Sequence, residues 1–511
     1  MSRTQQLTAW LERKSDWISP IVVKEVRQVV RGREFIYSFG ACLVAGLAVA
    51  FFGAAEALTG SGTSGSWTFG ALMACLTILG LAVVPLGAFS ALRVERMEQT
   101  LELITLTALT PRRVIIGKLL AQGVKLATLF AAMAPFVAMS FLLGGIDFAT
   151  ILLALALLFM WSLWMCSVCL FLSSLLTSRA VLALVFGGTA IVLVLVFGLG
   201  RMLYYVASSG AMGVGPFSGG LFSAEFWWAM AIMTSFWLAS LGNLVLLAEN
   251  RLSLATEDRV TPLRVGFLAQ FLLLAAWVLS FIGAATGARS GAVTALGVFG
   301  GLHLALVAMF VVTEDLVVPR LVQLRARTSA PWRPLLALLR PGGGNGAAYV
   351  LVQMILFLAV GALLRPAGMQ LRWFLAICGY ICFFTGVPVF AFRYWKPERR
   401  AALKLRVAVL LTLPLSMLLP DLLHYVLWRP EVLSLNYSAR HLANPIRTLA
   451  NWHIVEAHQW TPLPFALGLG GLVAYAALIY IGTTVNAVAA PSDPHGSSLE
   501  AGEPDRANVL Y

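Results

Sequence analysis

The chain has 511 residues, of which only 12% are charged and 59% are hydrophobic, and its mean hydropathy is +0.86. A soluble globular domain carries about 25% charged residues, so this composition excludes a soluble enzyme and predicts an all-α, polytopic membrane protein. The formal net charge is +13. Charge on one face of a membrane protein meets anionic lipid headgroups, which argues against nucleic acid as a partner.

About twelve segments are apolar enough to cross a bilayer, since a spanning helix needs about 20 such residues. The predicted spans are 35–58, 67–92, 118–143, 148–176, 181–199, 226–247, 265–285, 292–312, 347–364, 373–392, 407–426 and 462–485. Most of the 36 Lys and Arg residues fall before the first span or in every second loop. Such loops are cytoplasmic, so the pattern predicts that the N- and C-termini are both cytoplasmic.

The predicted spans fall into two sets of six. The predicted regions are an interfacial segment at 1–34, a six-span region at 35–249, a cytoplasmic linker at 250–264, a second six-span region at 265–489 with an outer loop at 428–461, and a disordered cytoplasmic tail at 490–511. The glycine-rich stretch 341–346 predicts a flexible loop end. The sequence leaves open whether the second set repeats the first, because no matching motifs are visible.

The segment just before the first span predicts an amphipathic helix on the cytoplasmic membrane surface. Ser19 can cap this helix, Pro20 suits its first position and Gly32 can end it. Val22, Val26 and Val29 share one face, and the residues assigned to the interface are Pro20, Lys24, Glu25, Arg27 and Arg31. An ordinary juxtamembrane helix has the same pattern.

The loop at 93–118 is more informative. Apolar residues at helical spacing are Met97, Leu101, Ile104 and Ala108, and the polar face holds Glu95, Glu98, Glu102 and Thr105. Thr110 and Pro111 can cap and begin a further helix into the third span. A short cytoplasmic helix between two spans suits a lever that a soluble partner contacts. The simpler interpretation is that these carboxylates pair with Arg27, Arg31 or Arg112 on the surface.

Two motifs in this first half resemble those of type-2 ABC transporter permeases. The sequence Glu-Arg-x-x-x-Thr-Leu-Glu-Leu-Ile at 95–104, followed by Thr-Pro-Arg-Arg and Gly-Lys, resembles the cytoplasmic coupling segment of that family. The sequence Ser-Pro-Ile-Val-Val-Lys-Glu-Val-Arg at 19–27 resembles its interface helix. The resemblance covers about the first 250 residues, and the second half departs from it, since a standard permease ends near residue 249.

The resemblance implies the membrane-spanning permease subunit of an ATP-driven exporter in a bacterial inner membrane. Separate ATPase subunits, which bind ATP and Mg, would dock on the coupling segment and push on it as the ATPase pair closes. The implied coupling residues are Glu95, Glu98, Thr100, Glu102, Thr107, Pro111, Gly117 and Lys118. The chain lacks a G-x-x-x-x-G-K-[ST] phosphate loop, so we expect no catalytic residue, cofactor or metal of its own. Expected partners are the ATPase, lipids, and a second copy or another permease.

The alternative function is a twelve-span secondary transporter coupled to protons or sodium. Such carriers use ionisable groups near the membrane midplane, and these are few here. The candidates are Lys125, which can extend toward the cytoplasmic surface, and Glu56, Asp421 and His424 near outer span ends. A non-transporting membrane scaffold is the third hypothesis. The sequence does not identify a cargo.

The histidines and cysteines predict packing instead of metal chemistry. His303 lies in a span, while His441, His453 and His458 share the outer loop without the close spacing of a zinc site. The six cysteines, at 42, 75, 166, 169, 378 and 382, all fall within predicted spans. We expect them to act as small apolar residues.

Overall fold

A computed structural model describes residues 20–58, 64–98, 110–143, 148–175, 186–190, 193, 224–252, 260–281, 286–315, 338–364, 368–395, 404–412, 415–416, 441–442 and 444–488. These ranges contain helices and no strand, and ten of their helical segments are long and apolar enough to cross a membrane. The chain is therefore a multi-pass membrane protein. The predicted spans 181–199 and 407–426 lie mostly outside the described residues, so the number twelve stays a prediction.

Two compact units make up the chain, Met1–Leu273 and Leu274–Tyr511. The helices of the first are α1 (Pro20–Arg31), α2 (Arg33–Leu58), α3 (Ser64–Ile78), α4 (Val84–Met97), α5 (Pro111–Leu142), α6 (Phe148–Leu175), α7 (Ala224–Leu252) and α8 (Thr261–Leu279), which continues into the second unit. The second unit continues with α9 (Thr286–Ala295), α10 (Gly301–Val311), α11 (Gly343–Leu363), α12 (Gly368–Trp395), α13 (Pro445–Ala450), α14 (Trp452–Ala457) and α15 (Pro462–Val488). The boundary between the units lies within α8, whereas the predicted linker was 250–264. Residues 253–259 of that linker are outside the described residues, and its two ends belong to α7 and to the start of α8.

In the part of the chain that the structure describes, one span of each unit contains a short π-helix. Leu79–Val83 joins α3 to α4, and Leu296–Gly300 joins α9 to α10, so each pair forms one continuous span. A π-helical turn is rare and shifts the register of the side chains that follow it. The predicted spans 67–92 and 292–312 cover both places, but hydropathy gave no signal for a π-helix in either.

Small residues allow the helices of the first unit to approach one another. The buried face of α2 holds Phe35, Ser38, Cys42, Gly46, Ala50 and Gly53, which recur every three or four residues. Gly46 faces the ring of Phe136 in α5, and Gly53 faces the side chain of Thr68 in α3. Because lipid is as apolar as a leucine side chain, this close packing stabilises the bundle where burial of apolar surface cannot.

The second unit packs most closely where α12 meets α15. A Cβ atom at Gly468 would lie 2.8 Å from the Cα atom of Gly379, and one at Gly471 would lie 2.5 Å from the carbonyl carbon of Cys382. The hydroxyls of Thr385 and Tyr475 are 2.8 Å apart across the same interface. The two backbones are therefore in near contact, which only glycine permits.

The glycine-rich stretch 341–346, predicted to be a flexible loop end, is a bend at 341–342 followed by the first turn of a helix at 343–346. Gly342 precedes α11 with a φ of 122°, which suits glycine alone, and α11 begins at Gly343. Gly344 packs against Gly482 in α15, with a Cβ-to-Cα separation of 2.9 Å. Gly346 lies against the carbonyl of Val311. These glycines allow the helices to pack closely against one another.

A buried amide pair joins α7 to α8 in the first unit. The Asn243 side-chain amide donates to Gln270 Oε1 at 2.6 Å, and both side chains are buried. We expect Gln270→Leu to lower the free energy of unfolding by roughly 0.6–1.7 kcal/mol, the range for such bonds between spans. Chemical unfolding in detergent micelles measures this cost.

The matched control is Asn243→Leu together with Gln270→Leu. The double variant removes both polar groups, so it should cost less than the sum of the two single variants. Strictly additive costs would show that the two amides do not interact.

Candidate functional site: the Lys118 cluster

A buried group of three charges lies where α1, α4 and α5 meet. The ammonium of Lys118 donates to Glu25 Oε2 at 3.0 Å and to Glu95 Oε1 at 2.7 Å. Only 3% of the Lys118 side chain is exposed, against 7% for Glu25 and 14% for Glu95. We call Glu25, Glu95 and Lys118 the Lys118 cluster. Its two charge-assisted hydrogen bonds join three helices that are distant from one another in sequence.

Helical periodicity places Glu25 in the cluster. Val22, Val26 and Val29 of α1 are half-buried, and Glu25 lies on the same side, three residues after Val22 and four before Val29. Pro20 begins α1 and the helix ends at Arg31, so the predicted helix is present, and its place at the membrane surface stays a prediction. This helix packs along α5. A carboxylate on the packed face needs a buried cation, which Lys118 supplies.

The other two members stand at the two ends of the predicted coupling segment. Glu95 lies in the last turn of α4, which runs to Met97, and Lys118 lies in the second turn of α5, which begins at Pro111. The cluster therefore ties together the points where the chain leaves one span and enters the next. A force on the segment between them would act on α1, α4 and α5 as one body.

Two of the predicted coupling residues have a different environment from the one expected. Glu95 was predicted on an outward polar face, but it lies within the span helix and turns toward Lys118. The resemblance implied a coupling role for Lys118, which is buried with its ammonium occupied by two carboxylates. The contacts of both side chains in the structure are therefore within the helix bundle.

The structure places the remaining predicted residues as follows. Lys24, Arg27 and Arg31 are exposed on α1, Glu98 is exposed one residue beyond α4, and Pro111 and Gly117 are buried in α5. Thr110 precedes α5, but its side chain makes no capping hydrogen bond; its carbonyl accepts from Arg113 instead. Thr100, Glu102 and Thr107 lie outside the described residues. The exposed coupling carboxylate in the described part is Glu98.

A second lysine, Lys125, lies seven residues or about two helical turns further along α5 and also approaches a carboxylate. Lys125 is 3% exposed. A Cβ atom at Gly87 would lie 3.5 Å from Lys125 Nζ and 3.3 Å from Glu34 Oε2, so both charged groups reach the same glycine. Lys125 was expected to extend toward the surface, and its approach to Glu34 agrees with that direction. The sequence did not predict Glu34 as its partner.

An arginine at the end of α4 links it to α6. Arg96 Nη1 donates to the carbonyl of Ser173 at 2.9 Å, and the Ser173 hydroxyl donates to the carbonyl of Phe89 at 3.0 Å. The first bond supplies a donor to a carbonyl in the last described turn of α6, and the second joins α6 back to α4. The predicted cytoplasmic end of the first unit is thus held by side chains from α1, α4, α5 and α6.

The second unit has its own arginine-rich corner, built around the end of α10. Arg393 of α12 donates to the carbonyl of Glu314. Arg406 donates to the carbonyl of Phe310 at 3.2 Å and to the Thr313 hydroxyl at 3.0 Å. Its guanidinium also lies 5.1 Å from the centre of the Phe310 ring. Cations near a helix C-terminus bind its unpaired carbonyls favourably.

Part of the predicted outer loop packs on the other end of α12. Trp373 Nε1 donates to the carbonyl of Leu449 at 3.0 Å, and the Tyr380 hydroxyl donates to that of Leu442 at 2.5 Å. His441 Nε2 lies 2.8 Å from Arg447 Nη1. The histidine is therefore engaged with a cation, which is unlike a zinc ligand. Asp421 and His424, the predicted outer candidates of span eleven, lie outside the described residues.

Comparison of this chain with protein-family models, with curated proteins and with solved structures gives no match.

Proposed function

We propose that this chain is the membrane-spanning permease subunit of an ATP-binding-cassette exporter and works with a separate ATPase. The observation that carries the proposal is the Lys118 cluster, because it anchors both ends of the segment whose sequence resembles a coupling segment. A lever transmits force only if its ends are fixed to the parts that must move. Two buried, charge-assisted hydrogen bonds provide such a fixation.

The proposed mechanism follows from that connection. Closure of an ATPase pair beneath the membrane pushes the segment between α4 and α5. The Lys118 cluster passes this displacement to α1, α4 and α5 together, and the Arg96 bond passes it on to α6. The spans then shift between inward-facing and outward-facing arrangements. The chemical step belongs to the partner, and this chain converts its movement into a change of access.

Reversing the charge of the coupling carboxylates tests the docking step. Glu98 is exposed at the end of α4, and Glu102 follows on the same predicted face. We expect the double variant E98K with E102K to weaken ATPase binding by about tenfold or more, because like charges across an interface cost over a kilocalorie per mole. Affinity purification of the tagged chain from membranes, followed by quantification of the bound ATPase, measures this loss.

Two control variants make the result specific. E98Q with E102Q removes the charges without reversing them and should give a smaller loss. Lys404→Glu reverses an exposed charge elsewhere on the predicted cytoplasmic face and should leave binding unchanged. Full ATPase binding by the E98K and E102K variant, with normal stimulation of ATP hydrolysis, would refute this docking site.

The buried Lys125, close to Glu34, is the observation that favours the alternative, an ion-coupled carrier. Ionisable groups within spans often lie on proton pathways. A proton-flux assay on liposomes containing the chain without ATP or ATPase distinguishes the two functions. We expect no flux above empty liposomes. Flux driven by a pH gradient and abolished by Lys125→Met would support the carrier instead.

A further inference from the structure

The second unit shares an uncommon feature with the first. Among the described residues, one span of each unit is interrupted by a five-residue π-helix, Leu79–Val83 in the first and Leu296–Gly300 in the second. π-Helices account for well under 1% of residues in proteins. Here both lie in the second predicted span of their set of six, and this shared position indicates a common cause. Both begin with Leu-Gly, at Leu79-Gly80 and Leu296-Gly297.

The glycine of each π-helix has the same structural role. A Cβ atom at Gly80 would overlap the side chain of Ser162 in α6, and one at Gly297 would overlap the ring of Trp373 in α12. Both α6 and α12 are the second described span after the π-helix of their unit. In each case, because glycine has no side chain, the neighbouring helix, α6 or α12, can approach the span that contains the π-helix.

The packing of the helices also follows one order in the two units. In the first unit α4 packs on α5 and α6, α5 packs on α6 and α7, and α6 packs on α7. In the second unit α10 packs on α11 and α12, α11 packs on α12 and α15, and α12 packs on α15. Several of these pairs are not consecutive in the chain, so adjacency in sequence does not account for the match.

An arginine joins the same two helices at the same end of each unit. In the first, Arg96 of α4 donates to the carbonyl of Ser173 in α6. In the second, Arg393 of α12 donates to the carbonyl of Glu314, just beyond α10. The direction of donation is opposite, but the connected helices correspond. The two ends are also both predicted to be cytoplasmic.

We propose that the second unit is a structural repeat of the first and that one copy of the chain supplies two permease halves. The repeat itself rests on the π-helices, the glycines and the packing order. The further consequence, that two ATPase subunits bind one chain without a second copy, rests on the proposed function. The partner set is therefore two ATPases, not a homodimer of this chain.

The two halves are not equivalent at the predicted cytoplasmic end. Lys118 is the eighth residue of α5, whereas the eighth residue of α11 is Val350, which is fully buried. The second unit instead ties its corner with Arg393 and Arg406 to backbone carbonyls. The cluster that fixes the coupling segment thus belongs to the first half, which makes the pair asymmetric.

Native mass spectrometry of the full chain in lipid nanodiscs, purified with any ATPase that accompanies it, tests this proposal. We expect one 55.1 kDa chain per particle and two ATPase copies. One chain without an ATPase would refute the proposed function and with it the two-ATPase assignment, while the repeat would be decided by the superposition below. Particles with two chains and two ATPases would overturn the single-chain assignment while supporting the ATP-driven function.

An experimental structure of the same particle tests the repeat directly. Superposition of α4, α5, α6 and α7 onto α10, α11, α12 and α15 should align all four helices in one orientation, with both π-helices overlapping. Alignment of fewer than three helices, or π-helices at different depths, would refute the repeat whatever the particle mass.

Discussion

Replacement of Lys118 by Met should lower the free energy of unfolding by about 3 kcal/mol or more. The substitution removes the cation and leaves the carboxylates of Glu25 and Glu95 facing each other in a buried site. An uncompensated buried charge costs far more than the net value of the original ion pair. Chemical or thermal unfolding of the purified variant in detergent measures the change.

A nearby lysine provides the matched control for Lys118→Met. Lys24 lies 4.0 Å from Glu25, but 62% of its side chain is exposed. Exposed ion pairs contribute little, so Lys24→Met should change stability by no more than about 0.5 kcal/mol. Equal stability of Lys118→Met and the unchanged chain would show that the cluster is not formed as described.

A triple variant separates structural support from coupling. Glu25→Gln, Glu95→Gln and Lys118→Met together remove all three charges, so most of the lost stability should return. If the cluster transmits force, this folded variant should still bind the ATPase but no longer stimulate ATP hydrolysis. Normal stimulation by the triple variant would assign the cluster a structural role only.

Replacement of Gly471 by Ala should disrupt the contact between α12 and α15. The added Cβ atom would lie 2.5 Å from the carbonyl carbon of Cys382 and 2.8 Å from its Cβ atom, so the helices must separate. Overpacking of this kind costs about 1–3 kcal/mol. It should also break the hydrogen bond between Thr385 and Tyr475. Thermal unfolding in detergent measures the loss.

The adjacent residue gives a control of identical chemistry. Gly470 lies on an exposed side of α15, and a Cβ atom there meets nothing within 4 Å. Gly470→Ala should be neutral or stabilising, because alanine favours a helix over glycine by about 1 kcal/mol. An unfolding temperature for Gly471→Ala equal to or above that of Gly470→Ala would contradict the packing described for these helices.

Hydropathy predicted where the ten described spans lie, because membrane crossing is dictated by local composition. It predicted their ends less well. The third span was predicted to begin at residue 118, but α5 begins at Pro111, since a helix continues past the apolar region through Arg112 and Arg113. The same effect carries α4 beyond residue 92 to Met97 and brings Glu95 into the helix.

Only part of the Lys118 cluster could be predicted from the sequence. Glu25 could have been found, because it lies between Val22 and Val29 on the apolar face of α1. Its partner could not, since Lys118 is 93 residues away and helical periodicity says nothing about contacts between distant helices. The close approach of Ser162 to Gly80 and of Trp373 to Gly297, both within π-helices, could not be predicted either, because these contacts join spans that are distant in sequence.

Affinity purification of the tagged chain from native membranes, with mass spectrometry of the proteins bound to it, tests the ATP-driven function most directly. The proposal predicts recovery of an ATP-binding-cassette ATPase in stoichiometric amounts, with its phosphate loop, and its loss in the E98K and E102K variant. Recovery of a folded, monodisperse chain without any ATPase, and with substrate movement under a pH gradient alone, would contradict it.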